Sequence, residues 1–303
     1  MGKGELLSLA SAFCWAVSVI WFKRSGEHMS PFTLNLVKNV LAFTLMIPTL
    51  LLLSAGPPQL PTPTLIVTLI SGVLGIALAD TLYFMALNRL GASRMGIVGS
   101  LFSPFVVALS IVFLAERLSL LQVFGFVTVL LGVLLATAKQ PATDLNREQL
   151  LRGLMTGATA VLTMAIGIVM VKRALEQHDF LWIVEIRLLG GVGGLVVVML
   201  LRRRTAKVFA ELRQPHNWPQ IIAASVLGSY LALILWLAGY KYTLASIASV
   251  LNETASLFIV LLAWLMLGEP LTRRKLVGIS CTFLGVCLLL PETGHWLNAM
   301  VCR

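Results

Sequence analysis

The feature that most constrains this chain is a series of long apolar runs separated by mostly short polar loops. A helix needs about 20 apolar residues to cross a hydrocarbon core roughly 30 Å thick, and the runs have about that length. A chain inside lipid must also satisfy its own backbone hydrogen bonds, which an α-helix does within one segment. We therefore predict an all-α membrane protein with ten transmembrane helices, at residues 5–22, 31–53, 64–87, 94–115, 120–138, 152–171, 180–201, 218–240, 245–268 and 275–290.

Composition and charge also favour a membrane protein. Only 12% of the 303 residues are charged, whereas a soluble domain would have roughly 25%. The net charge of +10 is a possible sign of nucleic-acid binding, but nearly all the cations lie in loops or at the ends of the predicted helices, as they do in membrane proteins. The expected partners are therefore the lipid bilayer and a small-molecule substrate, with no nucleic acid. We expect a monomer or homodimer in the inner (plasma) membrane.

The sequence has no pattern typical of metal or cofactor ligands. The four cysteines occur singly, and the four histidines lie in predicted connecting segments. A metal site needs several ligands at characteristic spacings. We therefore expect no metal, no cofactor and no catalytic residue.

The two halves of the sequence match each other. At an offset of 149 residues, Lys23, Arg24, Glu27 and Lys38 correspond to Lys172, Arg173, Glu176 and Arg187. At an offset of 153, the match continues with Leu74-Gly75 and Leu227-Gly228, Glu116 and Glu269, Gly125 and Gly278, and Gly132 and Gly285. This repeat divides the chain into a first half at 1–138, a linker at 139–151, a second half at 152–291 and a tail at 292–303.

Each half contains five predicted spans, and the odd number places the second half in the membrane upside down relative to the first. Inverted-topology repeats of this kind support alternating access, with the substrate bound near the bilayer midplane between the halves. The sequence therefore predicts a substrate cavity where the two halves meet.

Two short motifs resemble the EamA module of the drug/metabolite transporter superfamily. They are Ala115-Glu116-Arg117-Leu118 with Gly125 and Gly132, and Gly268-Glu269-Pro270-Leu271 with Gly278 and Gly285. The single cation in the second span of each half, Lys38 or Arg187, is also similar, although Arg is more usual where this chain has Lys38. The resemblance covers about residues 5–138 and 152–290. It implies a ten-helix carrier of metabolites such as amino acids, with a central cavity lined by both halves.

Lys38 lies within the second span, on one helical face with Asn35 and Asn39. Because a buried charge is costly in lipid, we predict that this face points toward the protein interior. Two interpretations are open. Lys38 and the amides bind a carboxylate or phosphate of the substrate, or Lys38 forms a buried ion pair with Asp80 or Glu253.

Asp80 lies deep in the third span, with Tyr83 one turn further along. It is a candidate site for a cation or a proton, or else the partner of Lys38. Arg187 occupies the position equivalent to Lys38, and there we favour a structural role, in which the side chain braces neighbouring helices or extends toward the membrane surface.

Small and polar residues recur along one side of the fourth and ninth spans. Ser93, Gly96, Gly99, Ser100 and Ser103 correspond to Ser246, Ser249, Asn252, Glu253 and Ser256. Small residues commonly serve close helix packing, but Asn252 and Glu253 are costly to bury for that purpose alone. We therefore predict that this polar stripe borders the cavity, with Trp15, Tyr83 and Trp236 as its aromatic walls.

The predicted substrate-binding residues are Lys38, Asn35, Asn39, Asp80, Tyr83, Trp15, Ser100, Trp236, Asn252 and Glu253. Asp80 and Glu253 are also the candidates for proton coupling, because they are the carboxylates best placed to take up a proton inside the membrane.

Other features are expected to serve the fold. Pro104 lacks a backbone N–H and is expected to kink the fourth span. Glu116 and Glu269 precede a tight turn, where a carboxylate can cap the N-terminus of the next helix. The GxxxG segments at 153–157 and 190–194 are typical of contacts between membrane helices.

These features favour a secondary transporter, preferably an exporter, of a small polar metabolite. The chain has no GxxxxGK[ST] motif for ATP, so a gradient must drive transport. One alternative is an integral membrane enzyme acting on lipid, but the sequence contains neither HExxH nor GxSxG. The other is a non-transporting scaffold, which would not need the polar stripe.

The orientation of the chain in the membrane has two conflicting indications. Six Lys and Arg residues lie on the side of the termini and fifteen on the other side. The positive-inside rule makes the fifteen-cation side cytoplasmic and so predicts periplasmic termini. The family resemblance instead implies cytoplasmic termini.

Overall fold

A computed structural model of the chain describes residues 2–25, 29–54, 56, 58–90, 95, 98–137, 147–267 and 272–289. Its helices are α1 (Lys3–Ser25), α2 (Pro31–Leu53), α3 (Thr62–Leu90), α4 (Phe102–Leu114), α5 (Leu120–Thr137), α6 (Arg147–Gln177), α7 (Phe180–Leu201), α8 (Thr205–Leu212), α9 (Trp218–Tyr242), α10 (Ala245–Asn252), α11 (Ala255–Leu267) and α12 (Arg273–Leu289). The tail at 292–303, most of the linker at 139–151, Ser93, Gly96 and Glu269 lie outside the described residues.

Each of the ten predicted spans contains an apolar helix. Among the described residues, seven helical stretches are long and apolar enough to cross a membrane. Three further apolar helices are shorter, at Phe102–Leu114, Leu120–Leu135 and Leu276–Leu289. The protein is therefore an all-helical, multi-pass membrane protein.

The distribution of side chains is that of a membrane protein with a polar interior. Large apolar side chains such as Leu52, Phe113 and Phe283 are exposed on the outside, whereas Lys38 and Arg187 are buried. An ionisable side chain inside a membrane protein needs a partner or a water-filled cavity. The fold must therefore supply one or the other in its interior.

The equivalent helices α5 and α12 pack against each other in antiparallel fashion. A Cβ added at Gly125 would come 2.8 Å from the carbonyl oxygen of Gly285, and one added at Gly132 would come 2.7 Å from that of Gly278. Only glycine permits so close an approach of two backbones. Because the first glycine of each repeat faces the second glycine of the other, the two equivalent helices run in opposite directions.

The first helix of each half packs on the third helix of the other half, so α1 contacts α9 and α6 contacts α3. The hydroxyl of Ser18 donates a 2.8 Å hydrogen bond to the carbonyl oxygen of Ala224, and that of Ser71 donates a 2.5 Å bond to Gly167. At the repeat offsets, Ser18 corresponds to Gly167 and Ser71 to Ala224. The two hydrogen bonds therefore join equivalent pairs of positions. In one pair the serine is on the first helix of its half, and in the other it is on the third helix.

The long helices α3 and α9 each contain a π-helical segment, at Val73–Ala79 and Val226–Leu231. The segments begin at equivalent positions of the repeat. Their first turns contain the matched pairs Leu74-Gly75 and Leu227-Gly228. The sequence comparison marked these pairs but did not predict the wider helical turn.

The ninth predicted span is not one continuous helix. It consists of α10 and α11, which are separated by a turn at Glu253 and Thr254. The fourth span has a turn at the equivalent Ser100 and Leu101, and α4 begins at Phe102. Pro104 therefore lies in the first turn of α4, where its missing N–H cannot bond to the carbonyl of Ser100, and it accompanies an interruption rather than a kink within the helix.

α6 and α8 also differ from the predicted elements. α6 begins five residues before the predicted 152, and its first turns carry an ion pair between Glu148 and Arg152 on the exposed face. α8 lies in the stretch 202–217, between the predicted seventh and eighth spans, where no helix was predicted. The short α8 is held to the start of α2, because the Ser30 hydroxyl donates a 2.7 Å hydrogen bond to Glu211 Oε2.

Candidate substrate-binding cavity

A cavity of about 250 Å³ lies between the two halves of the protein. Its lining comes from α1, α2, α3 and the residues around the fourth-span turn, and from α6, α7, α9, α10 and α11. The π-helical segments contribute Gly75 and Gly228, and the turn between α10 and α11 contributes Glu253. The backbone irregularities of both halves therefore converge on one space.

The cavity brings together most of the side chains that the sequence predicted to bind substrate. The predicted residues in its lining are Trp15, Lys38, Asn39, Asp80, Tyr83, Trp236, Asn252 and Glu253. Asn35 and Ser100 are not among the lining residues.

Asn35 is fully buried, and its side chain is engaged in hydrogen bonds within the fold. Its Nδ2 donates hydrogen bonds to the carbonyl oxygen of Ile76 at 2.9 Å and to the Thr81 hydroxyl at 3.2 Å. Its own side-chain oxygen accepts a 2.7 Å bond from Asn39 Nδ2. Because Ile76 lies in the π-helical segment of α3, Asn35 stabilises that irregular turn. Ser100 is also buried, in the turn that precedes α4.

Lys38 and Asp80 form an ion pair on the cavity wall. The Lys38 Nζ lies 2.7 Å from Asp80 Oδ2, and the two side chains are 4% and 19% exposed. Lys38 Nζ is also 5.8 Å from the centroid of the Phe84 ring. Of the two interpretations of Lys38, the structure thus shows the buried pair, with Asp80 rather than Glu253 as the partner.

Glu253 lies in the turn between α10 and α11, and it is nearly inaccessible. Its Oε1 accepts a 2.5 Å hydrogen bond from the Ser103 hydroxyl of α4. The neighbouring Asn252 turns its Nδ2 to the carbonyl oxygen of Ala248 at 2.7 Å. The fourth and ninth spans therefore meet through Glu253 itself, at the position where each of them is interrupted.

Arg187 of α7 lies in the cavity wall rather than at the membrane surface. Its side chain is 1% exposed, and its Nε and Nη1 have no hydrogen-bond partner among the described residues. The guanidinium carbon lies 5.5 Å from the centroid of the Trp236 ring, a cation–π contact. The idea that Arg187 reaches the surface is wrong, because its helical face points toward the centre of the protein.

Two segments of the chain, residues 2–138 and 151–290, match the EamA-like transporter family. The protein belongs to that family. An uncharacterized transporter of Archaeoglobus fulgidus is 24% identical over 94% of this chain and 97% of its own length. Protein PecM of Dickeya dadantii is 26% identical over 70% of this chain and 69% of its own length. A solved crystal structure shares the fold with a TM-score of 0.76, at 17% identity and over 94% of this chain and 96% of that one.

In this EamA-like transporter, sequence reasoning missed several residues of the cavity. The aromatic wall also includes Phe84 and Phe102, and Phe102 lies 6.4 Å from Trp236 between ring centroids. Gly75 and Gly228 line the cavity because the π-helical segments direct their backbones toward it. The sequence did give a signal for Arg187, because it is the repeat equivalent of Lys38 and lies on α7, the helix equivalent to α2.

Glu116 of this transporter caps a helix, but not the next one in the chain. Its two carboxylate oxygens accept hydrogen bonds from the backbone N–H groups of Ala245 and Ser246 at 2.7 and 3.0 Å, and from the Ser246 hydroxyl at 2.6 Å. These N–H groups form the N-terminus of α10, so the prediction of a cap on α5 was wrong. The carboxylate instead joins the first half to the second half.

Proposed function

We propose that this EamA-like transporter is a secondary exporter of a small polar metabolite, such as an amino acid, that works by alternating access in the inner (plasma) membrane. In this proposal, ten transmembrane helices form two five-helix repeats of inverted topology, at residues 1–138 and 152–291. Two features support this arrangement. α5 and α12 pack in antiparallel fashion, and the first helix of each half packs on the third helix of the other half. EamA-like proteins are transporters and not enzymes, so the alternative of a lipid-modifying enzyme is set aside.

The observation that carries the proposal is a cavity bordered by both halves and by interrupted helices. Interrupted helices near the centre of the membrane are where secondary transporters bind substrates and ions. π-Helical turns are common at functional sites, and here one occurs in each half. The two irregular positions in each half give it points at which the helices can bend while the substrate stays between the halves.

The chemistry of the cavity favours a substrate with both polar and apolar parts. Aromatic rings of Trp15, Tyr83 and Trp236 form apolar walls, and Arg187 and Glu253 supply opposite charges. A zwitterion with a hydrophobic side chain would match these groups. Because Asp80 is engaged by Lys38, Glu253 is the better candidate of the two carboxylates for binding a proton during the cycle.

The proposal is tested by transport in reconstituted liposomes. Purified protein is placed in vesicles loaded with an unlabelled mixture of amino acids, and uptake of each labelled amino acid by exchange is measured. We expect exchange of at least one amino acid well above that of protein-free vesicles, and faster net flux when a pH gradient is imposed. The Glu148→Gln variant, changed in an exposed ion pair, serves as a control and should behave as the wild type.

The absence of exchange in the same vesicles would contradict the proposal. If no amino acid or other small polar solute exchanges in vesicles that contain folded protein, the transport of a polar metabolite is refuted. Exchange that does not respond to a pH gradient would support the transport function but contradict proton coupling.

A further inference from the structure

We propose that Arg187 forms an anion subsite in the central cavity, and that the transported molecule carries a carboxylate that binds there. The inference rests on the proposed transport function and specifies one chemical group of its substrate. Arg187, rather than Lys38, is the cation available to a ligand.

The charges of the cavity separate into one satisfied pair and two single groups. Lys38 and Asp80 neutralise each other at 2.7 Å. No ion pair within 4.0 Å joins Arg187 to a carboxylate in the part of the chain that the structure describes. The charge of Arg187 is therefore not neutralised by direct contact with a described side chain.

Two of the three donor nitrogens of Arg187 are also not used by the described residues. Its Nε and Nη1 are buried and have no hydrogen-bond partner among the described residues. A buried polar group without a partner is costly, and a charged one costs more, which favours a ligand as the missing partner. Guanidinium is planar, and its several N–H donors match the geometry of a carboxylate.

The surroundings of Arg187 hold the guanidinium in the cavity wall. The Trp236 ring lies on one side at 5.5 Å. Gly75 is also close to the guanidinium, because an added Cβ there would come 2.5 Å from Nη2. Both neighbours themselves line the cavity. Gly75 is thus the residue that leaves room for this guanidinium, and the π-helical turn of α3 presents it there.

This geometry distinguishes an anion site from a helix brace. A brace would use the N–H donors on neighbouring carbonyl or carboxylate oxygens, whereas an anion site leaves them for a ligand. A carboxylate at Arg187 would also place the rest of the molecule against the aromatic wall, with Glu253 as a second polar contact.

The test compares binding of amino acids with binding of their carboxamides, which lack the negative charge. Thermal stabilisation of the purified wild type is measured with each of the twenty amino acids and the corresponding amides. We expect at least one amino acid to stabilise the protein and its amide to bind at least tenfold more weakly. Arg187→Gln should remove this preference, and Arg187→Lys should retain part of it.

A second pair of variants leaves Arg187 unchanged, in case its replacement impairs folding. Gly75→Ala should displace the guanidinium and weaken amino-acid binding at least tenfold. Gly193→Ala is the matched control, because Gly193 lies on the same helix as Arg187 but not in the cavity lining, and an added Cβ there meets nothing within 4 Å. Its affinity should stay within about threefold of the wild type.

The failure of this inference is distinguishable from the failure of the proposed function. Equal binding of acids and amides, unchanged binding in folded Arg187→Gln, or the absence of any carboxylate ligand would overturn the anion site. Exchange of an uncharged or cationic solute in vesicles would at the same time leave the transport function standing. Lower stability of Arg187→Gln with full retention of amino-acid affinity would identify Arg187 as a brace.

Discussion

The ion pair between Lys38 and Asp80 allows a quantitative prediction. Replacing Lys38 by Met keeps the volume and apolar stem of the side chain but leaves Asp80 without its cation. Removing one partner of a fully buried pair costs about 3–5 kcal/mol, whereas an exposed pair contributes about 0–1 kcal/mol. Asp80 is 19% exposed on the cavity wall, so water relieves part of the penalty. We expect Lys38→Met to lose about 2–3 kcal/mol, between these two limits.

The loss should appear as a lower melting temperature in detergent. For a chain of this size, each kcal/mol corresponds to roughly 2 °C, so the expected decrease is about 4–6 °C. Protein is heated in steps, and the fraction that remains monodisperse is measured by size-exclusion chromatography, without ligand. The double variant Lys38→Met/Asp80→Asn should recover most of the decrease, because neither charge is then left alone.

The control for this experiment is the exposed pair of Arg152 and Glu148, whose side chains are 72% and 66% exposed. Arg152→Met should change the melting temperature by no more than about 2 °C, since surface pairs contribute so little. The reasoning is refuted if Lys38→Met is as stable as the wild type, or if the double variant loses as much as the two single variants combined. A stable Lys38→Met that has lost ligand affinity would instead assign Lys38 to substrate binding.

Three further predictions follow from the same structure. Glu253→Gln should fold normally and reduce amino-acid exchange in vesicles at least tenfold, and near-normal exchange would remove Glu253 from the site. Glu116→Ala leaves two buried N–H groups of α10 unpaired and should cost about 2–4 kcal/mol; Glu116→Gln, which keeps one acceptor oxygen, should lose less in the same thermal assay, and equal losses would contradict the capping role. The distribution of cations predicts periplasmic termini, so a fluorescent protein fused after Arg303 should stay dark in cells, and a bright fusion would reverse the orientation.

The elements that follow from hydropathy and repetition could be predicted from the sequence. The apolar runs place a helix in every predicted span, and the repeat offsets identify α5 and α12 as equivalent helices with matching glycines, although their packing against each other was not predicted. The side chains that are costly in lipid, such as Lys38, Asp80 and Glu253, could be assigned to the interior on energetic grounds alone. These inferences need only one-dimensional information.

The features that were missed depend on contacts between helices. Asn35 lies on the same helical face as Lys38, as a site residue would. Its side-chain amide nevertheless donates hydrogen bonds to Ile76 and Thr81 of another helix. The partner of Glu116 is 129 residues away in the sequence, and neither residue type nor spacing identifies it. The repeat marks Arg187 as the equivalent of Lys38, but its contacts with Trp236 and Gly75 depend on how α7 packs against its neighbouring helices.

The repeat duplicates the backbone of this transporter but not its chemistry. The π-helical turns at Gly75 and Gly228 and the interruptions at Ser100 and Glu253 occur in both halves. At the same equivalent positions the side chains differ: Glu253 corresponds to Ser100, Asp80 to Leu233, and Trp236 to Tyr83. In the proposed alternating access, the two halves exchange conformations, which depends on the shared backbone. An asymmetric substrate would require different groups on opposite walls, and we expect the unmatched side chains to supply them.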